Sequence, residues 1–191
     1  MTNKIRIAGL DGSKSNFGVS LLDLDLDTME LEVVDLLLFK TEKSKQKQVR
    51  ASSDNLRRAQ EIAAPLHEVL DGCISAFVEV PSGGQSYDAV LGFGIVIGIY
   101  ASLPVPVVEV SPSETKLAAV GTKTASKEEM IEWAMEKFPA APWRMRKLKG
   151  EMIPTKDNEH IADGVAIAHA GLKVPSFQQT LAILKASNRT A

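Results

Sequence analysis

The sequence predicts an α/β fold in which helices flank a mixed five-stranded sheet. Three strand-like segments, separated by short polar turns, fill the first 40 residues. Beyond them, the apolar segments "CISAFVEV" and "VPVVEV" alternate with segments that have helical spacing. The chain has 191 residues, of which 45% are apolar, so it can bury the core of one such domain.

The first part of the chain predicts an antiparallel meander over residues 4 to 40. "KIRIAGL" and "FGVSLLDLD" are two strands joined by a tight turn rich in Gly and Ser, and "LEVVDLLLFK" is a third. The "DLDLD" alternation resembles the start of a calcium loop, but Thr28 and Val34 stand where that loop requires Gly and Glu. We therefore interpret the alternation as a solvated strand face.

Residues 52 to 70 have the spacing of an amphipathic helix. The apolar side chains expected on its buried side are Leu56, Ile62, Leu66, Val69 and Leu70. The segments "CISAFVEV" and "VPVVEV" that follow it predict two buried strands. Between them, residues 85 to 102 have the length of a helix but the composition of a strand, so both structures stay open for this segment.

The last part of the chain is predominantly helical. "SPSETKLAAV" begins with a Ser cap followed by Pro, and "SKEEMIEWAMEKF" carries the capping box Ser126–Glu129. Residues 139 to 156 read as a Pro-rich, basic connection to a further helix, "NEHIADGVAIAHAGL". Residues 174 to 191 form a tail that we expect to contain a short helix.

Composition excludes several classes of protein. The net charge is −2. The chain as a whole therefore lacks the excess of positive charge that would indicate nucleic-acid binding. A single cysteine excludes an internal disulfide framework and a multi-cysteine zinc site. Neither a signal peptide nor a membrane span is apparent, and we expect a cytoplasmic protein without membrane contact.

Three acidic residues stand at the ends of, or within, otherwise apolar elements. Asp11 ends the first strand, Glu79 lies near the end of "AFVEV", and Asp163 sits in an apolar helix. Glu159 and His160 lie one turn before Asp163 and can share its helix face. A carboxylate in such surroundings must be paired or bind a metal. Each residue also has a structural alternative. Asp11 can form the turn, Glu79 can pair with a buried Arg, and Asp163 can be a polar position on the edge of its helix.

Four blocks, taken in order, resemble RuvC-type Holliday junction resolvases of the RNase H-like superfamily, and especially bacteriophage members. They are "IAGLDGSKSNFGVSLLD", "AFVEVPSGGQS", "SETKLAAVGTKTASKEEM" and "HIADGVAIAHAGL". The resemblance implies an RNase H-like nuclease domain over residues 1–173, followed by a C-terminal tail over residues 174–191. It also implies a crossover junction endodeoxyribonuclease that makes paired symmetric nicks and leaves 5′-phosphate and 3′-hydroxyl ends.

The resemblance implies a catalytic, metal-binding group of side chains. Its members are Asp11, Glu79, His160 and Asp163, with Glu159 as a competing ligand. Hard oxygen ligands of this kind suit two Mg²⁺ ions, for which Mn²⁺ can substitute. The chain departs from the family pattern at His160, where an Asp is usual. It also has "PSGG" after Glu79, where the family often carries an aromatic wedge, and Tyr87 is the nearest aromatic residue.

The resemblance further implies branched DNA as substrate and a two-fold homodimer that cuts both strands. The expected DNA contacts are Lys116, Lys123, Lys127, Arg144, Arg146 and Lys147. A second basic segment, "KTEKSKQKQVR", is either a further phosphate contact or a solvated face. Gly94 and Gly98 would allow close approach of two helices, either between subunits or against the sheet of the same chain.

Two other functions stay open. A protein that binds branched DNA without cutting it is favoured by the replacement of Asp by His160. A small actin-like or sugar-kinase-like ATP-binding domain is suggested by the Asp-Gly turn in "LDGSKSNFG", although such proteins need two domains of this kind.

Overall fold

The computed structural model describes residues 3–188, which form a five-stranded sheet with helices on both faces. Its strands are β1 (Lys4–Asp11), β2 (Asn16–Asp25), β3 (Leu31–Lys40), β4 (Cys73–Val78) and β5 (Val107–Glu109). Their order is β3-β2-β1-β4-β5. The first three strands pair antiparallel, whereas β4 is parallel to β1 and β5 is parallel to β4. The expected mixed five-stranded sheet and meander are confirmed.

Six helices and a separate two-stranded hairpin complete the described part of the chain. The helices are α1 (Ala51–Val69), α2 (Tyr87–Ala101), α3 (Pro112–Val120), α4 (Lys127–Lys137), α5 (Asn158–Gly171) and α6 (Pro175–Asn188). The hairpin strands are β6 (Met145–Leu148) and β7 (Glu151–Pro154). No helix within residues 3–188 combines the length and the apolar character that a membrane crossing requires.

Local capping explains where several helices begin. Ser111 and Ser126 each accept a bond from the backbone three residues on, and Glu114 and Glu129 reach back to complete both capping boxes. The Ser86 hydroxyl caps α2 in the same manner, which resolves the ambiguity over residues 85 to 102 in favour of a helix.

The core divides into two clusters because side chains alternate along the central strands. On β1, Ile7 faces a cluster formed with α5 and α6, whereas Ala8 and Leu10 face a cluster formed with α1 and α2. On β4, Phe77 faces the α5 side and Val78 faces the α1 side. The sheet is therefore the middle layer of three, and the odd-numbered residues at the ends of β1 and β4 point toward α5.

Two expectations about burial are wrong. Leu56 is 61% exposed, because the buried stripe of α1 runs through Arg58 and Ile62, and Leu56 lies about 200° around the helix from Arg58. The segment "VPVVEV" is not a buried strand, because β5 is an edge strand of three residues in which Val107 is 42% exposed.

The basic connection over residues 139 to 156 is also more regular than expected, since it contains the β6–β7 hairpin. Lys149 and Gly150 form its two-residue turn with φ values of 49° and 94°. Both values are left-handed, as a type I′ turn requires, and Gly150 adopts its value without strain. The strands escaped sequence analysis because "MRKL" and "EMIP" do not alternate in polarity as a half-buried strand does.

The expected C-terminal helix is present as α6. Its residues Phe177 and Leu181 are 1% and 3% exposed and belong to the α5-side cluster. Phe177 packs edge-on against Phe77 of β4, with ring centroids 4.8 Å apart. The helix thus packs on the body of the protein, while residues 189–191 of the expected tail lie outside the described residues.

Candidate active site

Two predicted site residues lie together because their strands are parallel neighbours. Asp11 is the last residue of β1, and Glu79 directly follows β4. β1 and β4 pair in parallel, so their carboxyl ends meet at the same end of the sheet. By the alternation described above, both carboxylates point to the face that α5 covers.

Helix α5 brings the other predicted residues, His160 and Asp163, to this end of the sheet. The hydroxyl of Ser20 on β2 donates a 2.7 Å bond to the carbonyl oxygen of Ile161. Gly18 lies opposite Asp11 in the β1–β2 ladder, and a Cβ there would be 2.4 Å from the His160 carbonyl oxygen. The absence of a side chain at Gly18 therefore allows the first turn of α5 to approach the strand beside Asp11.

His160 contacts Asp11 directly. The imidazole Nδ1 lies 2.7 Å from Oδ2 of Asp11, and both side chains are about one-quarter exposed, at 24% and 27%. The hydrogen bond to Asp11 raises the pKa of His160, against the opposing effect of burial, and the charges of Glu159 and Asp163 raise it further. The protonated imidazole is therefore stabilised here, as expected for a His among carboxylates.

Asp163 lies in the least favourable surroundings for a charge. Burial raises its pKa to about 7, and the charges of Asp11, Glu79 and Glu159 act in the same direction, opposed by His160. Burial also raises the pKa of Glu79, with a further contribution from Asp11. The carboxylates at this end of the sheet therefore hinder one another's ionisation.

Two residues of α3 act on Glu79. The buried hydroxyl of Thr115 donates a 2.5 Å bond to Oε1 of Glu79, and the charge of Lys116 also favours the ionised carboxylate. Sequence analysis missed Thr115. A Thr in the first turn of a capped helix carries no local indication that its hydroxyl binds a side chain 36 residues earlier.

Glu159 is paired with Lys127, whose ammonium group forms an ion pair with its carboxylate. Lys127 also interacts electrostatically with Asp163 and Asp11, and the pKa of Lys127 is raised, first by its bond to Glu159. Lys127 is therefore at the edge of the site. That either Glu159 or His160 is the fourth ligand stays a prediction.

A buried arginine fixes the turn that follows Asp11. Arg58 is 5% exposed, and its Nε donates a 2.8 Å bond to Oγ1 of Thr41. Its Nη2 donates to Oγ of Ser15 at 2.7 Å and to the carbonyl oxygen of Lys14 at 3.1 Å. Sequence analysis missed Arg58, although a cation within the apolar stripe of α1 was a detectable sign of a buried role.

Tyr100 supports the same turn from the other face of the sheet. Its hydroxyl donates to the carbonyl oxygen of Leu10 at 3.4 Å, and a Cβ on Gly12 would lie 2.4 Å from that hydroxyl. Burial raises the pKa of Tyr100, and the nearby charges of Asp11 and Glu79 raise it further. The phenol therefore stays protonated behind the carboxylates.

The carboxylates do not form a ready ligand set. Within residues 3–188, no three His, Cys, Asp or Glu side chains are arranged so that they could hold one ion. Asp11 is engaged by His160, and Glu79 by Thr115. Each contact engages one oxygen of its carboxylate, Oδ2 of Asp11 and Oε1 of Glu79, and leaves the second oxygen free of that bond. The donor chemistry fits a hard divalent cation, because the grouped carboxylates oppose one another's ionisation.

The predicted DNA contacts fall into three places. Lys116 and Lys127 lie next to Glu79 and Glu159, at the edge of the site. Lys123 is exposed in the turn between α3 and α4. The remaining three belong to the hairpin and its base, and they are Arg144, Arg146 and Lys147. Their role as DNA contacts stays a prediction.

The strand order β3-β2-β1-β4-β5, with helices on both faces, is that of an α/β protein with an RNase H-like fold. No family model matches the chain. RuvC of Prochlorococcus marinus, a crossover junction endodeoxyribonuclease, is 26% identical over 178 residues, which cover 91% of this chain and 99% of the relative.

Solved structures of RuvC share the fold. The structure of T. thermophilus RuvC in complex with a Holliday junction substrate matches with a TM-score of 0.62 and 22% identity, covering 87% of this chain and 92% of that one. A second structure of Thermus thermophilus RuvC matches with a TM-score of 0.59 and 22% identity, covering 93% and 97% of the two chains. The resemblance to RuvC-type resolvases is thus confirmed in sequence and in fold.

Proposed function

We propose that this protein is a metal-dependent, structure-specific endodeoxyribonuclease that resolves Holliday junctions or related branched DNA by paired symmetric nicks. One observation carries the proposal: Asp11, Glu79 and Asp163 come from three separate elements and interact at one end of the sheet. The end-to-end similarity to a crossover junction endodeoxyribonuclease supports it. A cytoplasmic location agrees with a DNA substrate.

The proposed ligands are Asp11, Glu79 and Asp163, with His160 or Glu159 as the fourth. Two bound Mg²⁺ ions, or Mn²⁺ in their place, would supply an activated water and stabilise the leaving 3′ oxygen. Asp11 would hold the ions together with Glu79 and Asp163, since both of these carboxylates interact with it. No covalent protein intermediate is needed, and the products carry 5′-phosphate and 3′-hydroxyl ends.

The chain's own residues would prepare this site in two ways. Thr115 holds Glu79 by one carboxylate oxygen and leaves the other oxygen free of that bond. His160 holds Asp11 through the bond between its Nδ1 and Oδ2 of Asp11, and this bond raises the pKa of His160. Lys116 and Lys127 would neutralise substrate phosphates at the edge of the site, which gives affinity without sequence preference.

Two symmetric cuts require two sites, and we propose a homodimer formed through α2. Its exposed apolar side chains include Val90 at 55% and Ile97 at 43%. A Cβ on Gly94 or Gly98 would meet nothing within 4 Å among residues 3–188, so neither glycine is needed for packing against its own sheet. A monomer by analytical ultracentrifugation at the concentration used for cleavage would contradict the dimer.

Cleavage of a labelled, immobile four-way junction in Mg²⁺ tests the proposed function. We expect paired symmetric nicks from the unaltered protein, and binding without nicks from Asp11→Asn. Asp71→Asn is the matched control, because Asp71 is exposed in the turn at the opposite end of β4. If the protein cuts flaps and single strands as readily as junctions, the proposed nuclease activity stands and the proposed specificity for junctions is rejected.

A second candidate is a protein that binds branched DNA without cutting it. Two observations favour it. His160 is already hydrogen-bonded to Asp11, and no ready ligand set exists within residues 3–188. Such a protein would bind the junction equally well with and without Mg²⁺ or Mn²⁺ and would nick it in neither. A metal titration that follows binding and nicking together separates the two functions.

A further inference from the structure

The β6–β7 hairpin projects from a rigid base next to the candidate site. Asn158, which is fully buried at the start of α5, accepts a 2.9 Å bond from the Arg144 backbone N–H. Its amide also donates a 2.9 Å bond to the Arg144 carbonyl oxygen, as does the backbone N–H of Thr155. Since His160 is only two residues beyond Asn158, these bonds attach the base of the hairpin to the first turn of α5.

The hairpin carries exposed apolar side chains that belong to none of the core clusters in the described chain. Met145, Leu148 and Met152 are 39%, 46% and 60% exposed. Met152 lies opposite Lys147, so the two side chains share one face of the ribbon with Met145. Exposed apolar groups collected on one projecting element are typical of an interaction surface.

The charge of the hairpin indicates a polyanionic partner. Arg146, Lys147 and Lys149 form no ion pair within residues 3–188, and Glu151 is the one acidic residue in the hairpin. Arg144 at the base is already paired with Asp157, at 3.5 Å. Basic side chains that alternate with exposed Met and Leu match the requirements of DNA, whose phosphates bind cations and whose base steps accept apolar wedges.

We propose that the β6–β7 hairpin is a DNA-opening element, whose tip inserts at the branch point with Leu148 against a base on one face of the ribbon and Met152 against a base on the other. In this arrangement Arg146, Lys147 and Lys149 hold the flanking phosphates. The partner is branched DNA, so the inference depends on the function proposed above. Its new content is that opening of the substrate is assigned to the hairpin before α5, an element separate from those that carry the carboxylates.

The test uses the whole protein and an immobile four-way junction with 2-aminopurine at the branch point, in Ca²⁺ to limit cleavage. Unstacking of the 2-aminopurine base raises its fluorescence. For the double variant Leu148→Ala/Met152→Ala we expect a fluorescence increase about fivefold smaller than for the unaltered protein, with junction affinity within about threefold, because phosphate contacts supply most of the affinity.

Two controls separate insertion from loss of fold. The matched variant Leu56→Ala/Ile183→Ala removes apolar groups that are 61% and 67% exposed on α1 and α6, and it should leave the fluorescence increase unchanged. A junction with mismatched bases at its centre needs no opening. The hairpin variant should therefore cut it in Mg²⁺ at the normal rate, while cutting the paired junction about tenfold more slowly.

The outcomes distinguish the two proposals. Junction binding and nicking by the unaltered protein, with an unchanged fluorescence increase in the hairpin variant, would overturn this inference and leave the proposed function intact. Loss of self-association in the hairpin variant, with unchanged fluorescence, would assign the hairpin to a contact between copies of the chain and would also overturn it. Failure of the unaltered protein to bind junctions would overturn both.

Discussion

The carbonyl oxygen of Gly164 occupies the space where a side chain on Gly9 would begin. A Cβ built on Gly9 would lie 1.9 Å from that oxygen, and one on Gly164 would lie 2.8 Å from Oγ of Ser20 and 2.9 Å from the Gly9 carbonyl oxygen. Helix α5 therefore rests directly on the backbone of β1. Since Asp163 precedes Gly164 and Asp11 lies two residues after Gly9, this contact fixes the separation of the two carboxylates.

Replacement of Gly164 by Ala tests the contact. The added methyl group would meet the backbone of β1, which cannot rotate away, and we expect the free energy of unfolding to fall by about 1–3 kcal/mol. Chemical unfolding followed by circular dichroism measures this change. Gly92→Ala on α2 is the control, because its nearest neighbour would be at an ordinary 3.9 Å. Equal stability of the two variants would contradict direct packing of α5 on β1.

Asp163→Asn should stabilise the metal-free protein at alkaline pH while it abolishes cleavage. The folded pKa of Asp163 is raised to about 7, whereas the unfolded carboxyl ionises near pH 4. The unaltered protein therefore loses stability as pH rises from about 4 to 7. At pH 8 in EDTA we expect the variant to gain about 2 kcal/mol or more in unfolding free energy, because the amide carries no charge.

The same pair of proteins reports on cation binding. Saturating Mg²⁺ should reduce the stability difference between Asp163→Asn and the unaltered protein, because a cation that binds the folded state stabilises the chain with the full ligand set. Thermal unfolding at pH 8, with and without Mg²⁺, measures it. An equal response of both proteins to Mg²⁺ would show that Asp163 does not bind the ion.

His169 should make the protein less stable in mild acid. Burial, together with the charges of Lys137 and Lys173, lowers the pKa of His169 to about 4. The unfolded chain therefore binds a proton at this residue between about pH 6.5 and 4 while the folded chain does not, so stability falls as pH falls through this window.

Replacement by an uncharged side chain isolates this effect. Between pH 6.5 and 4.5, the unaltered protein should lose on the order of 1–2 kcal/mol more unfolding free energy than His169→Gln. This value allows for the screening of His169 by solvent, with which it is partly in contact. The measurement is the difference between the two proteins in unfolding free energy across this pH range, in which the other titrating groups cancel. A difference that does not vary with pH would rule out a depressed His169 pKa.

Arg58 should position the turn after Asp11. Arg58→Met leaves the hydroxyls of Thr41 and Ser15 without their donor, and we expect about 2 kcal/mol of destabilisation. Because Asp11 begins that turn, cleavage should fall by about tenfold while junction binding in Ca²⁺ is retained.

Two comparisons identify this positioning role. Arg58→Lys keeps the charge but cannot span Thr41 and Ser15, so it should require more Mg²⁺ for half-maximal cleavage than the unaltered protein. Arg50→Gln, at an exposed position, should change stability by less than about 0.5 kcal/mol. A normal Mg²⁺ requirement in Arg58→Lys would restrict Arg58 to a purely structural role.

The parts of the fold that depend on local pattern could be predicted from sequence. The meander followed from short apolar strands and turns, and the starts of α3 and α4 followed from Ser111 and Ser126 with their capping partners. Asp11 and Glu79 were identifiable because a charge at the end of a buried strand needs a partner. Each of these inferences uses only residues that are close in sequence.

The residues that escaped prediction act over long distances in the chain. Arg58 reaches Ser15 across 43 residues, and Thr115 reaches Glu79 across 36. The position of Arg58 in the stripe of α1 indicates burial, but nothing in the sequence identifies Ser15 or Glu79 as the partner. Leu56 was misplaced for a related reason, because the buried stripe of α1 includes the polar residues Asp54 and Arg58, which shift it away from the most apolar side of the helix.

Strand β1 can accept a change of residue more readily than a change of length. Ile7 faces α5, and Leu10 faces the opposite side of the sheet. Insertion or deletion of one residue before Asp11 would turn its carboxylate away from Glu79 and α5, because successive side chains point to opposite faces. Substitution of an apolar residue in β1 alters packing by degrees, whereas a shift by one position would dismantle the site while much of the core could still form.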